Sequence, residues 1–199
     1  MEITTATEKK GGISVFADGE YRFTVPAFIW ASCDLSDGCD ASEEALQALK
    51  SRADDYRAEE AAARLLSLRA HSEKELKEKL RRRFSADLAE KTAETMREKG
   101  YLDDEKFAEA LASELARTKH YGPRRIKDEL FRRGIGKEIA ENAVSALDID
   151  KNAAIIELIA KMRLPDDPSE KEVARMLRRL EAAGYSYADV KYALENRED

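Results

Sequence analysis

The sequence SEKEL at residues 72–76 returns as GPRRI at residues 122–126 and as SEKEV at residues 169–173. Each copy places a turn residue before a basic amphipathic helix, and a second amphipathic helix follows after a short break. The apolar anchors of the three copies, paired four residues apart, are Leu76 and Leu80, Ile126 and Leu130, and Val173 and Leu177. A unit of this size cannot bury its own apolar face, so the period predicts stacked helical repeats. We therefore expect an elongated array that presents surface, which favours binding over catalysis.

Composition limits the class of protein. Of 199 residues, 43% are hydrophobic and 38% are charged. The charged share exceeds the usual quarter and, with few glycines and prolines, favours exposed helices over disorder. No apolar run approaches the roughly 20 residues of a membrane span, and the first residues lack the features of a secretory signal. We expect a cytoplasmic monomer with no membrane contact.

The net charge of −6 is unevenly distributed. Residues 72–84 carry six basic and three acidic side chains, residues 117–137 carry eight and two, and residues 169–179 carry four and two. An acidic total argues against a general nucleic-acid coat, because non-specific binding depends on neutralising phosphates. Basic faces at intervals still suit an acidic partner surface or a phosphate backbone.

The residues before the repeats predict a β-hairpin. Alternating apolar residues at 13–17 and 20–25 flank Asp18-Gly19, a two-residue turn that needs positive φ. Residues 1–11 show no periodicity, and we expect them to be frayed. Ser42 is a candidate N-cap for a short helix that follows the hairpin.

From Tyr56 onward the pattern predicts helices throughout. Their expected ranges are 57–69, 73–83, 86–98, a helix after Asp103 or Asp104, a helix from Pro123 to Gly134, one from about Lys137, 150–162, 169–183 and 186–196. We predict an all-α fold, an elongated array of three tandem three-helix repeats preceded by a short N-terminal β-hairpin segment. The expected divisions are 1–56 for the hairpin, acidic loop and short helix, then repeats at 57–101, 102–148 and 149–199.

The joint between the first two repeats has a structural interpretation. Gly100 ends one helix, because glycine is common just past a helix end. Asp103 or Asp104 caps the next helix, a contact worth about 1 kcal/mol. Tyr101 and Leu102 are expected to fill the joint. Direct contact of the aspartates with a partner is the alternative.

Three stretches in order resemble the RecX family, the regulatory proteins of the RecA recombinase. They are RAHSEKELKEKL at residues 69–80, GYLDDEKFA at residues 100–108, and the basic helix between the glycines of residues 122–135. The residues that carry the resemblance, and that we expect to form repeat joints, are Arg69, Ser72, Leu76, Gly100, Tyr101, Leu102, Asp103, Asp104, Phe107, Gly122, Ile126, Leu130 and Gly134. The resemblance covers residues 58–148 well and the third repeat only in kind.

The resemblance implies a regulator that is not an enzyme. Proteins of this family look like curved arrays of three-helix repeats that lie in the groove of the RecA–DNA filament and bridge its subunits. They hinder strand exchange, ATP hydrolysis and repressor cleavage, and thereby limit the SOS response in DNA repair and recombination. The implied partner is the RecA filament, with weak DNA binding as an addition.

The excess basic residues are candidates for contact with that filament. Arginine suits bidentate contacts with carboxylates and phosphates. The candidate filament-facing residues are Arg81, Arg82, Arg83, Arg124, Arg125, Lys127, Arg132 and Arg133. The alternative is a solvated helix face with local ion pairs, such as Glu75 with Lys79.

Signals for catalysis, cofactors and metals are absent from the sequence. No phosphate-binding glycine loop follows a strand, and the two histidines, His71 and His120, belong to different repeats. Five residues separate Cys33 from Cys39, which is not the usual zinc spacing. We predict no catalytic residue, no cofactor and no metal. Two rival functions stay open: a helix-turn-helix-like DNA-binding module and a generic helical scaffold for another protein.

Overall fold

The computed structural model describes residues 1–9 and 11–196 of the chain. Lys10 and residues 197–199, the end of the predicted third repeat, lie outside the described residues. The described elements are β1 (Ile3–Thr7), β2 (Gly12–Ala17), β3 (Glu20–Pro26), α1 (Ala27–Ala31), α2 (Glu43–Leu68), α3 (Glu73–Leu80), α4 (Ala86–Glu98), α5 (Asp104–Lys119), α6 (Pro123–Arg132), α7 (Lys137–Ser145), α8 (Lys151–Ala160), α9 (Glu170–Ala182) and α10 (Tyr187–Glu195). The predicted fold class, mainly helical with a small N-terminal β-segment, is confirmed.

The chain forms two compact units. The first contains residues 1–69 and 79–96, and the second contains residues 70–78 and 97–199. The boundaries therefore fall just after α2, within α3 between Glu78 and Lys79, and within the last turn of α4 between Met96 and Arg97.

The predicted hairpin is present. Strands β2 and β3 pair antiparallel, and Ala17 faces Glu20 across the two-residue turn. Asp18 and Gly19 both have positive φ, 51° and 79°. This backbone geometry twists in the same sense as the flanking strands and therefore stabilises the hairpin.

The expectation that residues 1–11 are frayed is wrong for the described part of that stretch. Strand β1 pairs antiparallel with β2, which makes a three-stranded sheet of order β1-β2-β3. Ile3 is fully buried, and its amide donates to the carbonyl of Cys39 at 2.8 Å. Its carbonyl accepts from the amide of Gly38 at 2.7 Å. One buried isoleucine and backbone bonds on both sides of the strand hold a segment that has no periodic signal.

The prediction of a short helix after Ser42 and a separate helix at 57–69 is also wrong. The two are one helix, α2, of 26 residues. No glycine or proline lies between Glu43 and Leu68, so nothing interrupts it. Ser42 is its N-cap, and the Ser42 hydroxyl accepts from the amide of Ala45 at 3.2 Å. The expected division at residue 56 falls inside this helix.

The later helices agree with the predicted ranges to within a few residues. The main difference is α3, which ends at Leu80, while residues 81–83 form a turn. No helix in the described part of the chain is both long and apolar enough to cross a membrane. Cys33 and Cys39 are free thiols, and the described residues contain no cluster of three or more potential metal ligands.

Each unit has its own buried core. The sheet and α2 of the first unit enclose one, formed by residues that include Ile3, Val15, Val25, Leu46 and Leu49. The second unit contains two neighbouring clusters. One is built on α5, α6 and α7, and the other is built on α8, α9 and α10. Tyr121 packs against both clusters, so it occupies the junction between these two groups of helices.

Replacing Ile3 with alanine tests whether β1 is an integral strand. The substitution should lower the free energy of unfolding by about 2–5 kcal/mol, because it leaves a cavity in the first core. Urea unfolding monitored by circular dichroism measures the change. Thr7→Ala, at an exposed position of the same strand, is the control and should stay within about 0.5 kcal/mol of the parent. Equal stability of the two variants would mean that the N-terminal strand is frayed.

Candidate partner-binding surface

The start of α3 is fixed by Ser72, which is fully buried. Its hydroxyl accepts from the amide of Glu75 at 3.2 Å and so caps the helix. The same hydroxyl donates to the carbonyl of Arg133, at the end of α6. One side chain therefore caps one helix and joins it to the end of another.

The two neighbouring aspartates, Asp103 and Asp104, cap different helices. Asp103 caps its own helix, α5, by accepting from the amide of Lys106 at 2.9 Å. Asp104 instead accepts from the amide of Glu73 at 2.8 Å, at the first turn of α3. The sequence left open which aspartate capped α5, and the structure shows that the second one caps a different helix.

The two carboxylates differ in their electrostatics for the same reason. The hydrogen bond from the Lys106 amide, helped by the Lys106 side chain, lowers the pKa of Asp103. Burial raises the pKa of Asp104, and the charges of Glu73 and Asp103 add to the rise, against the lowering effect of the hydrogen bond from Glu73. Partial burial thus disfavours the ionised form of the Asp104 carboxylate.

The end of α6 approaches α3 closely at Gly134. Gly134 has φ of +86°, and a Cβ built there would lie 2.6 Å from the Cβ of Lys74, which is far too close. Beside it, the guanidinium of Arg133 pairs with the carboxylate of Glu75 at 2.7 Å. Glycine is needed here both for the left-handed conformation and for the contact.

The same contact recurs one repeat later in the second unit. The amide of Gly122, at the start of α6, donates to the carbonyl of Ala183, at the end of α9, at 2.8 Å. Gly184 follows with φ of +97°, and a Cβ there would collide with the backbone amide and Cβ of Arg125. Both Ser72 with Arg133 and Gly122 with Ala183 are separated by 61 residues.

The two contacts arrange helices head to tail. The N-terminus of α3 meets the C-terminus of α6, and the N-terminus of α6 meets the C-terminus of α9. Partial positive charge at a helix start faces partial negative charge at a helix end, and one otherwise unused carbonyl is satisfied each time. The middle helix of each repeat is thereby tied to the middle helix of the next one.

Aromatic residues reinforce the second contact. Tyr185 is buried, and its hydroxyl donates to the carbonyl of His120 at 3.0 Å. Burial, with a smaller effect of Asp189, raises the pKa of Tyr185 to about 12, so the hydroxyl keeps its proton. The guanidinium of Arg125 lies over the Tyr121 ring, 5.4 Å from its centroid.

The other residues of the three RecX-like motifs differ in burial. Leu102 is buried as expected, but Tyr101 is 68% exposed and does not fill the joint, which corrects that expectation. Gly100, with φ of +75°, changes the direction of the chain directly before Tyr101, so Leu102 alone fills the joint and the Tyr101 side chain lies in solvent. Buried members of the set are Leu76, Ile126 and Leu130, Phe107 is partly buried, and Arg69 is exposed at the C-cap of α2.

The structure separates the basic residues of α6 into two groups. Arg133 pairs with Glu75, and Arg125 pairs with Glu129 at 2.7 Å, so both take part in packing. Arg132 is exposed and shares Glu129 at 3.1 Å. Among the described residues, Arg124 and Lys127 form no ion pair. The unpaired positive charge of α6 therefore comes from Arg124 and Lys127, with Arg132 beside them.

The remaining three candidates lie in the first unit, in the turn after α3. Arg81 is 3.6 Å from Glu90. Arg83 lies over the ring of Phe84, 5.9 Å from its centroid. Within residues 1–9 and 11–196, neither Arg82 nor Arg83 has an acidic partner. All three side chains are exposed.

Two further arginines belong with these groups, and sequence reasoning missed them. Arg178 of α9 lines a shallow depression of about 330 Å³ together with Arg124 and Arg125, although Asp128 and Glu181 line it too. Arg64 of α2 lies beside Arg82 and Arg83 in a groove of the first unit. Their proximity depends on tertiary packing, and no local motif signals it.

Comparisons with known proteins identify related chains. A family model described as "RecX, first three-helix domain" matches residues 58–96, and one described as "RecX, second three-helix domain" matches residues 103–144. A "Regulatory protein RecX" from Escherichia coli (strain SE11) is 33% identical over 152 residues, which cover 69% of this chain and 90% of that protein. One from Caldanaerobacter subterraneus subsp. tengcongensis is 28% identical over 189 residues, which cover 94% of both chains.

Solved structures share the fold. One described as the crystal structure of regulatory protein RecX has a TM-score of 0.72 and 19% sequence identity, and the match covers 98% of this chain and 99% of that one. RecX from Lactobacillus salivarius has a TM-score of 0.63 and 24% identity over 71% of this chain and 95% of that one. Identities this low support the fold alone.

Asp104 offers a test of the capping role across helices. Asp104→Ala removes the acceptor for the Glu73 amide and should lower the free energy of unfolding by about 1 kcal/mol. Asp104→Asn keeps an acceptor oxygen and removes the buried charge, so at pH 7 it should be at least as stable as the parent. Urea unfolding of the three proteins measures the difference.

The pH dependence of that comparison has a definite sign. Because the folded-state pKa of Asp104 is raised, the ionised carboxylate weakens the fold at neutral pH. This penalty fades as the pH falls through the folded pKa and is gone below the unfolded pKa. The advantage of asparagine over aspartate should therefore shrink in acid. An asparagine variant as unstable as the alanine variant at pH 7 would rule out the capping role.

Proposed function

The chain belongs to the RecX family, and we propose that it regulates the RecA recombinase by binding along the RecA–DNA filament. The relatives are regulatory proteins by name, which favours a role in control over a role in catalysis. In this proposal the chain is a cytoplasmic monomer that uses no cofactor, and it acts in DNA repair, recombination and the SOS response.

The proposal rests mainly on one repeated contact. Hydrogen bonds between residues 61 positions apart join the start of one middle helix to the end of the next. A filament presents the same surface at regular intervals, and a chain with regularly linked basic helices can meet several of these surfaces at once. Weak patches joined in one chain give a much higher overall affinity than any patch alone. We expect the repeats at 57–101, 102–148 and 149–199 each to supply one such patch.

The mechanism follows from binding at several points. A chain that bridges neighbouring RecA subunits restrains the relative motion that ATP turnover needs. A body in the filament groove also obstructs a second DNA molecule or a repressor. We therefore propose inhibition of strand exchange, ATP hydrolysis and repressor cleavage.

The unpaired cations of α6 favour a second candidate, direct binding of DNA. Arg124 and Lys127 are available to phosphates, and tandem three-helix domains resemble helix-turn-helix modules. The net charge of −6 opposes it, because the rest of the chain repels phosphates. In our proposal DNA affinity is weak and assists binding to the filament.

RecA ATP hydrolysis on single-stranded DNA tests the proposal. The parent protein should lower the hydrolysis rate at a stoichiometric ratio to RecA. Arg124→Glu/Arg132→Glu should lose at least about tenfold in inhibitory potency, because it reverses exposed charge and spares the packed Arg125 and Arg133. Its circular dichroism spectrum should stay that of the parent.

A matched control carries the same change in net charge elsewhere. Arg117→Glu/Lys137→Glu alters two exposed cations outside α6 that have no ion pair in the described part of the chain, and it should inhibit like the parent. Binding to DNA alone, measured by gel shift across salt concentrations, completes the comparison. Unchanged ATP hydrolysis in stoichiometric excess of the parent, or tight DNA binding that does not need RecA, would contradict the proposal.

A further inference from the structure

A groove in the first unit combines an aliphatic floor with a cationic rim. It encloses about 460 Å³ between the C-terminal half of α2 and the turn after α3. Leu65, Leu80 and Phe84 line it, and Leu68 stands at its edge with 76% of its surface exposed. An exposed leucine at the end of a long helix, next to other apolar side chains, is typical of a docking surface.

Four cations surround this floor, namely Arg64, Lys79, Arg82 and Arg83. None of the four has an ion pair with an acidic side chain in residues 1–9 and 11–196. A neighbouring groove, which shares Arg64 and Phe84, adds Arg57 and a single acid, Glu60. A chain of net charge −6 thus concentrates uncompensated positive charge around one apolar depression.

We propose that this groove binds an acidic peptide segment that carries an aliphatic anchor. The anchor packs on Leu65 and Leu68, and the flanking carboxylates reach Arg64 and Arg82. Arginine and carboxylate groups form paired hydrogen bonds in a fixed geometry, so the rim selects carboxylates while the floor selects an apolar side chain. The volume is that of a small-ligand or side-chain pocket.

The composition of the lining favours a peptide over single-stranded nucleic acid. Sites for single strands stack bases on aromatic side chains. Here Phe84 is the one aromatic residue among those that line the groove in the described structure, and the guanidinium of Arg83 lies over its ring. The rest of the floor is aliphatic, which suits a leucine-like side chain better than a base.

This inference goes beyond the proposed function, because it assigns a ligand class to the first unit, whereas the filament proposal is tested on α6. The experiment uses neither RecA nor DNA filaments. A failure of one proposal is therefore distinguishable from a failure of the other.

Fluorescence anisotropy with a labelled synthetic peptide tests the groove in the full-length protein. The probe is a short chain of aspartate and glutamate with two leucines, and the parent protein should bind it with saturation. Leu68→Ser and Arg64→Glu/Arg82→Glu should each weaken binding by at least about tenfold, which corresponds to about 1.4 kcal/mol. All substituted positions are exposed, so the variants should stay folded.

Two control variants match these changes in the second unit. Tyr187→Ser removes another exposed apolar side chain, and Arg117→Glu/Lys137→Glu reverses two exposed cations; both should bind the peptide like the parent. Peptides with serine for leucine, or with lysine for the acids, should bind at least about tenfold more weakly. The proposal is overturned if the parent does not bind the acidic peptide or if the groove variants bind it as the parent does. It is also overturned if the parent binds an oligothymidine and the groove substitutions weaken that binding rather than binding of the peptide.

Discussion

The head-to-tail contact between middle helices is the constraint on which the second unit depends. A carbonyl at the end of one middle helix accepts a hydrogen bond from the start of the preceding one, first at Arg133 and again at Ala183. Each time the next residue is a glycine in the left-handed conformation, and each time the partner backbone or side chain occupies the space that a Cβ would need. The sites of closest approach between repeats therefore tolerate no side chain, and the spacing of the glycines sets where successive repeats can meet.

This constraint also divides the charges of the chain by role. Arg133 and Arg125 lie next to the contacts and are held by Glu75 and Glu129, so their charge is largely neutralised within the protein. Arg124 and Lys127 of the same helix have no ion pair in the described part of the chain and remain available. A protein that is acidic as a whole can in this way keep unpaired cations on helices that recur at regular intervals. Such regular spacing suits a partner whose surface also repeats.

Periodicity predicted the helices because their apolar anchors repeat within one turn, which is local information. It also located the motifs that meet at the start of α3. The sequence could not show that Asp104 caps a helix other than its own, because that bond crosses 31 residues. It missed β1, whose burial rests on Ile3 alone, and it misjudged Tyr101, because the direction of a side chain after Gly100 depends on the turn. Arg64 was missed for a similar reason, since packing of α2 rather than sequence spacing brings it beside Arg82.

The most direct test is the free energy of unfolding of three glycine-to-alanine variants at positions of similar backbone geometry. Gly100, Gly134 and Gly184 all have positive φ, but a Cβ at Gly100 meets nothing within 4 Å. Gly100→Ala should cost about 1–2 kcal/mol, because only the left-handed conformation is unfavourable for alanine at that position. Gly134→Ala and Gly184→Ala should each cost clearly more, because the helix ends must separate. Equal losses for all three variants would show that the repeats are held together by something other than these contacts.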